Sequence, residues 1–289
     1  MAGSELIVRF VVAPNDGYEH YKASFRNARS PLAAFGDSHV ANGLESNGEL
    51  TNLGWAGDSL HLMLVKARSY AATGHARRIV LQYSPQQFAI YRAAKEQVEV
   101  ADDLLGRGTP WLHFMQPHFR QYLLAYWETM LNDPGRVFAV HAAEPEDRTT
   151  AGEGPRLVSL PVSEQRRLAG IRVQLHAPLP QGRTVEALVE RFAQALREIR
   201  DRGIDICVVE FPLSTVYRDA AAQAPTFAAM RARMQALLAA EKVRFLDLTA
   251  AMPDSAFGDP DHIGRQGRAA LTNLVLSGCF GAGTSVPTQ

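Results

Sequence analysis

A serine and a histidine stand in two short motifs near opposite ends of the chain, each after an apolar run. Ser38 lies in Gly36-Asp37-Ser38-His39, and His262 follows Asp259 by three residues. A serine hydroxyl is a weak nucleophile until a base takes its proton, and a histidine oriented by a carboxylate is a common base. If the fold brings the two motifs together, they predict nucleophilic acyl transfer.

Each motif also has a purely structural interpretation. Ser38 could simply cap the helix that follows it, since serine is a preferred cap residue. His262 could be a surface histidine beside Asp259 and Asp261. Asp261 is also a rival for the orienting acid, although its adjacency to His262 makes it the poorer geometric partner.

The elements that must position these motifs are short apolar runs and amphipathic helices. The runs end at turn residues and have the character of strands buried on both faces: Pro31–Phe35, Arg78–Tyr83, Ile204–Phe211 and Val243–Leu248. The helices are predicted over Asp58–Ala72, Thr184–Arg202 and Pro225–Ala240. Their alternation predicts an α/β fold, a three-layer, flavodoxin-like α/β/α sandwich with a central parallel sheet of about five strands.

In a parallel sheet the carboxyl ends of the strands meet at one edge, where ligands bind. Both the Ser38 and the His262 motif follow such an end, which favours the chemical interpretation over the structural ones. The loop after the fourth strand faces the same edge. Its Ser214 and Tyr217 are therefore candidate substrate contacts, as is His39, and each could equally be a turn or helix-start residue.

The middle of the chain breaks the pattern. A charged helix is predicted at Ala93–Leu105, an aromatic helix at Pro117–Leu131 and an exposed loop at Ala142–Arg156. We expect one domain over residues 1–289 with a helical cap inserted at about 91–183. The aromatic helix could cover an acyl or sugar substrate, or serve as core or dimer contacts.

Composition excludes several classes of protein. The 289 residues carry 30 Lys+Arg and 30 Asp+Glu, and this zero net charge argues against a nucleic-acid partner and a polybasic membrane surface. No membrane span and no signal peptide are predicted, which gives a cytoplasmic location, or a periplasmic or extracytoplasmic one if an export segment was removed. The two cysteines make no disulfide framework, and Cys207 is expected to pack in a strand. The pattern leaves the oligomeric state open.

Three blocks of the sequence resemble the SGNH/GDSL hydrolase family. They are Gly36-Asp37-Ser38, the segment Asn52–Ser59 (NLGWAGDS) and Asp259-x-x-His262. The resemblance covers roughly Pro31–Gln87 and Thr184–Ser277. It implies that Ser38 is the nucleophile, His262 the base and Asp259 its orienting acid. It also implies an oxyanion hole that includes the backbone N–H groups of Ser38 and Gly57.

The third block of the family departs from its pattern here. Where the family has Gly-x-Asn-Asp, this chain has Gln82–Phe88 (QYSPQQF). Gln86 falls at the place of the asparagine, and its amide can donate the same hydrogen bond. Gln82 or Ser84 could take that role instead, the hole could have two donors, or Gln86 could be a helix-entry surface residue. The altered block resembles the divergent branch of the family that acts on cell-envelope polysaccharides.

The resemblance implies a serine esterase acting on O-acyl esters, acetyl esters and carbohydrate esters among them. A polysaccharide O-acetyltransferase would use the same residues, and an inactive binding module of the same fold is a third reading. The zero net charge suggests a neutral small-molecule or carbohydrate substrate. No metal or cofactor is expected, because the histidines and carboxylates lack metal-ligand spacing.

Overall fold

The computed structural model describes residues 5–6, 8–93, 97–107, 111–116, 119, 131 and 156–281. Its strands are β1 Leu32–Phe35, β2 Thr51–Asn52, β3 Arg78–Tyr83, β4 Asp205–Glu210 and β5 Arg244–Asp247. Its α-helices are α1 Gly17–Asn27, α2 Ser38–Gly43, α3 Leu60–Ala72, α4 Ile90–Ala93, α5 Val98–Leu105, α6 Val162–His176, α7 Arg183–Arg200, α8 Thr215–Ala222, α9 Pro225–Ala240 and α10 Arg268–Phe280.

The five strands form one parallel sheet in the order β2-β1-β3-β4-β5. The register places Ala34 of β1, Val80 of β3 and Cys207 of β4 side by side in one row across the sheet. This order is that of flavodoxin-like folds, whose ligand crevice lies where the order reverses, between β1 and β3. The predicted sandwich with about five parallel strands is confirmed.

Both faces of the three central strands, β1, β3 and β4, are buried. Alternate residues of the central strands, such as Val80 and Val209, share a core cluster with Leu271 and Val275 of α10. Since successive strand residues point to opposite faces, their buried neighbours face the other layer, where α3 packs against β1 and α7. Two covered faces explain why the strands are continuous apolar runs.

A disulfide links the sheet to helix α10. Cys207 of β4, correctly expected to be a packing residue, is bonded to Cys279 of α10 across a sequence separation of 72 residues. The expectation that the two cysteines make no framework missed this bridge. It closes a long loop and thereby reduces the conformational freedom of the unfolded chain.

Removal of this bridge is expected to lower the free energy of unfolding by about 4 kcal/mol, as loop-closure entropy predicts for a loop of this length. The double variant Cys207→Ala, Cys279→Ala should show this loss in urea unfolding, and reductant should leave its midpoint unchanged. The native chain unfolded in reductant is the control and should lose a similar amount. Equal midpoints with and without reductant in the native chain would contradict the prediction.

The chain divides into two compact units. One comprises residues 29–96 and 151–289 and holds the sheet, and the other comprises residues 1–28 and 97–150. In the second unit, Asp103 is buried between Lys22, 3.3 Å away, and Tyr18, which donates a hydrogen bond of 3.0 Å. Among the described residues, no helix is both long and apolar enough to cross a membrane.

The predicted insertion at 91–183 is spread over both units. Helix α6 belongs to the sheet-bearing unit, and α5 begins at Val98 where the charged helix was expected from Ala93. The predicted aromatic helix Pro117–Leu131 lies outside the described residues except Phe119 and Leu131. The predicted loop Ala142–Arg156 lies outside them except Arg156. The single domain with an inserted cap stays a prediction.

Candidate active site

The turn after β1 presents Ser38 as the first residue of α2. The cap of this helix is Asp37, whose carboxylate accepts the backbone N–H of His39 at 3.0 Å. Ser38 is thus not needed as a cap, and its partly exposed side chain turns to a different partner. Its backbone N–H belongs to the first turn of the helix, where such groups have no intrahelical acceptor.

A close approach of two strands shapes this turn. A β-carbon on Gly36 would lie 2.3 Å from Oε1 of Gln82 on β3, a distance no real side chain could occupy. The same Gln82 oxygen accepts the N–H of Asp37 at 2.8 Å. Gln82 is fully buried and fixes the backbone that carries Ser38. Its contact is structural, and a role in the oxyanion hole stays an untested alternative.

The segment after β2 is tied to α2 by Asn52. The Asn52 amide donates to the carbonyls of Val40 at 2.7 Å and Leu44 at 2.8 Å, and its own oxygen accepts the N–H of Gly54 at 2.9 Å. Gly54 runs so close to α2 that a β-carbon would meet the backbone nitrogen of Ala41 at 2.7 Å. Gly57 follows with φ +95°, a backbone conformation that favours glycine.

The loop that carries His262 is built around the Asp259 side chain. One carboxylate oxygen accepts the backbone N–H groups of Asp261 at 2.9 Å and His262 at 2.8 Å. The Gly258 N–H donates back to the carbonyl of His262 at 3.0 Å, which closes the loop. Ser214, at the start of α8, donates its hydroxyl to the carbonyl of Pro260 at 2.6 Å and anchors the loop from outside.

Ser38, His262 and Asp259 come together as a hydrogen-bonded chain. Asp259 Oδ2 lies 2.9 Å from Nδ1 of His262, and Nε2 of the same ring lies 2.8 Å from Oγ of Ser38. Because a carboxylate only accepts, Nδ1 carries the proton, and in the neutral ring Nε2 is left to accept the Ser38 hydroxyl. The arrangement can move a proton from Ser38 to the imidazole while Asp259 holds the ring.

The charges around His262 favour its protonated form. Burial alone lowers the pKa of His262, but the negative charge of Asp261, together with the hydrogen bond and charge of Asp259, raises it to about 9. Burial raises the pKa of Asp259, yet the hydrogen bond and charge of His262 bring that pKa below its usual range. The site thus stabilises an imidazolium–carboxylate pair, the state that forms when a histidine acts as a base.

Asp261, the rival acid, makes no such bond. Its nearest carboxylate oxygen lies 3.8 Å from Nδ1 of His262, against 2.9 Å for Asp259. The geometry therefore gives the hydrogen bond to Asp259.

The Gln86 amide points toward Asp37 and His39, the two residues that flank Ser38. Its Nε2 lies 3.3 Å from Oδ2 of Asp37 and 3.0 Å from Nδ1 of His39, and the residue is almost fully buried. Gln86 is thus not the helix-entry surface residue of the alternative reading. Whether it donates to an oxyanion stays a prediction, as does the same role for Ser84.

The three candidate substrate contacts are all buried. His39 lies beside a cavity of about 420 Å³ that is also lined by Gln86, Phe211 and Tyr217. Ser214 holds Pro260, and the Tyr217 hydroxyl lies 2.9 Å from Nδ1 of His176. Ser214 and Tyr217 thus have structural roles through these hydrogen bonds. That either residue contacts a substrate stays a prediction.

Sequence reasoning missed two residues of α6. Arg172 lies 3.6 Å from carboxylate oxygens of both Asp259 and Asp261, and His176 lies 3.7 Å from Asp261. Their spacing of four residues places them on one helix face. That spacing alone is a weak signal, since polar pairs four apart are common on exposed helices.

Within the described ranges, His39, Asp261 and His262 place one ligand atom each within 4.8 Å of one another, as a metal ion would require. Both ring nitrogens of His262 are already engaged by Asp259 and Ser38. A metal ion bound there would break those contacts, so we assign no metal to this cluster.

Comparison with known proteins finds similar solved structures. No family model matches the chain, and no curated protein matches it. Among solved structures it is similar to a protein from Bacteroides fragilis that is proposed to be an acylhydrolase, at 10% identity and TM-score 0.45, over 90% of this chain and 94% of that one. It is also similar to a GDSL-like lipase from Bacteroides thetaiotaomicron, at 10% identity and TM-score 0.45, over 90% of this chain and 95% of that one. The chemistry of the site rests on its own residues.

Proposed function

We propose that the protein is a serine esterase that hydrolyses O-acyl esters through Ser38, His262 and Asp259. The observation that carries the proposal is the unbroken hydrogen-bonded chain from Asp259 through His262 to Ser38, at 2.9 and 2.8 Å. An inactive module of the same fold would have no need to keep these three side chains in register.

The reaction begins when Ser38 Oγ attacks the ester carbonyl carbon and its proton passes to Nε2 of His262. The carbonyl oxygen becomes an oxyanion, which the N–H groups of Ser38 and Gly57 and the amide of Gln86 are proposed to bind. Each such donor typically contributes ~10²–10³ in rate. When the tetrahedral species collapses, the C–O bond to the alcohol breaks and His262 returns the proton to the leaving oxygen.

Water then resolves the acyl-enzyme. His262 takes a proton from the water, the resulting hydroxide attacks the acyl carbonyl, and the bond to Ser38 breaks as the proton returns to Oγ. A sugar hydroxyl in place of water would make the protein an O-acetyltransferase with the same residues. For the substrate we propose neutral O-acyl esters, acetylated carbohydrate among them, in keeping with the zero net charge of the chain.

We also propose that the protein works in an oxidising compartment such as the periplasm. The Cys207–Cys279 disulfide supports this location over the cytoplasm, where thiols are kept reduced.

The proposal is tested with a fluorophosphonate probe and p-nitrophenyl acetate. We expect the probe to label Ser38, and Ser38→Ala to lose labelling and at least about 10⁴-fold in kcat, because no other group supplies the nucleophile. Ser277→Ala is the matched control, since Ser277 is exposed on α10 and bonds only to its own helix. Activity retained in Ser38→Ala would refute the proposal, and added oligosaccharide would show whether water or sugar accepts the acyl group.

A further inference from the structure

The carboxylate of Asp261 is fully buried and accepts no hydrogen bond from any residue that the structure describes. Buried polar atoms are nearly always hydrogen-bonded, and a buried charge without a partner is costly. The protein therefore holds this carboxylate in place against a large desolvation penalty. A buried carboxylate is stabilised by positive charge nearby, and the side chains around Asp261 can supply that charge.

Four nitrogen-bearing side chains surround Asp261 at ion-pair distance. They are Arg172 at 3.6 Å, His176 at 3.7 Å, His262 at 3.8 Å and His39 at 3.9 Å. Further titratable or charged groups near the cluster are Asp37, Tyr91, Arg92, Tyr217 and Asp259. Burial lowers the pKa of His176 to about 4, so this ring is neutral at pH 7.

His262 is the neighbour whose charge changes during the proposed reaction. We propose that Asp261 is a positioning residue, a second carboxylate that stabilises the His262 imidazolium through charge alone while Asp259 orients the ring through a hydrogen bond. This inference rests on the proposed function of Ser38 and His262. It gives the two carboxylates of the Asp259–His262 loop separate tasks.

The different environments of the two carboxylates fit these tasks. The side chain of Asp259 is 28% exposed and takes three hydrogen bonds, whereas that of Asp261 is fully buried. A charge screened from water acts more strongly at 3.8 Å than an exposed one. In keeping with this, the charge of Asp261 raises the pKa of His262, as do the hydrogen bond and the charge of Asp259.

A charge of this kind leaves a specific mark on the pH dependence of the rate. The base must be neutral to accept a proton, so activity rises with pH through the pKa of His262. Without the Asp261 charge that pKa falls, so more base is neutral at low pH, but each neutral base is weaker. Asp261→Asn should therefore be faster than the native enzyme below about pH 7 and slower on the alkaline plateau.

The experiment measures kcat/KM for p-nitrophenyl acetate against pH, and follows the His262 ring by NMR titration in the Ser38→Ala background. In Asp261→Asn we expect both midpoints to fall by about 2 pH units, and the alkaline plateau to fall by about tenfold. Arg172→Gln removes a cation that lowers the pKa of His262, so both midpoints should move to higher pH. Opposite shifts from the two variants cannot arise from a general loss of structure.

The outcomes separate this proposal from the proposed function. An unchanged NMR midpoint in Asp261→Asn would overturn the charge interaction, whatever the enzyme does. A shifted midpoint with an unchanged plateau would overturn its part in catalysis. If Asp261→Asn does not fold, Asp261→Ser takes its place, since it removes the same charge and an unchanged NMR midpoint there would overturn the inference. Activity that survives Ser38→Ala would instead refute the proposed function and leave the NMR result standing.

Discussion

Asp259→Asn is expected to lower kcat about 10⁴-fold while the loop keeps its shape. The asparagine oxygen can still accept the N–H groups of Asp261 and His262 that now bond to Oδ1. Its amide can turn an N–H toward the ring, which leaves Nδ1 as an acceptor and places the proton on Nε2. In that tautomer His262 cannot take the Ser38 proton, and the equivalent change in a serine protease triad costs about 10⁴ in kcat.

The control for this change is Asp254→Asn, the same substitution a few residues earlier. Asp254 accepts the N–H of Thr215 at 2.7 Å and touches no part of the triad, so kcat should stay within about twofold. A loss below tenfold in Asp259→Asn would show that Asp261 can hold the ring in its place. The double variant with Asp261→Asn would then lose what the single variant kept.

Lys66→Met is expected to lower the free energy of unfolding by about 3–5 kcal/mol, because it leaves the Asp58 carboxylate buried without its partner. Lys66 and Asp58 form a buried ion pair beneath the loop of Gly57, and Oδ1 of Asp58 accepts no hydrogen bond from the described residues. Urea unfolding at pH 8 measures the loss. The double variant Asp58→Leu, Lys66→Met should recover most of it, since both charges are then gone.

The pH dependence of this variant follows from the Asp58 carboxyl. Burial raises its pKa to about 6 even with the Lys66 ammonium beside it, and removal of that ammonium raises the pKa further. The folded state then holds the proton more tightly than the unfolded state, so stability is lost as pH rises above about 4. The loss should be smaller at pH 5 than at pH 8. Arg68 lies on the same helix as Lys66 and pairs at the surface with Glu198 of α7, so Arg68→Met should cost under about 1 kcal/mol.

The four long strands and the reactive motifs could be predicted from the sequence because both have local signals. An apolar run that ends at a turn marks a strand, and the Ser38 and His262 motifs each follow such a run directly or after a short loop. Strand β2 escaped prediction because it spans only Thr51–Asn52, which are polar and half-buried. Thr51–Asn52 form a strand because they pair with β1, and no local sequence pattern predicts that pairing.

The features that could not be predicted depend on distant partners. Cys207 and Cys279 meet only because α10 packs on β4, and the sequence offers no sign of that packing. Arg172 and His176 lie in a stretch expected to belong to the insertion, yet α6 brings them to Asp261. The direction of a side chain also cannot be predicted from a local pattern. The amide of Gln86, for example, contacts Asp37 and His39 only in the folded chain.

The large sequence separation between Ser38 and His262 has a consequence for biosynthesis. Ser38 and His262 are 224 residues apart, and the Asp259–His262 loop follows the last strand of the sheet. Under the proposed mechanism, a nascent chain carries its nucleophile long before its base has been translated, and non-local pairing of this kind is slow to form. We therefore expect activity to appear only after β5 and the loop that follows it have joined the sheet.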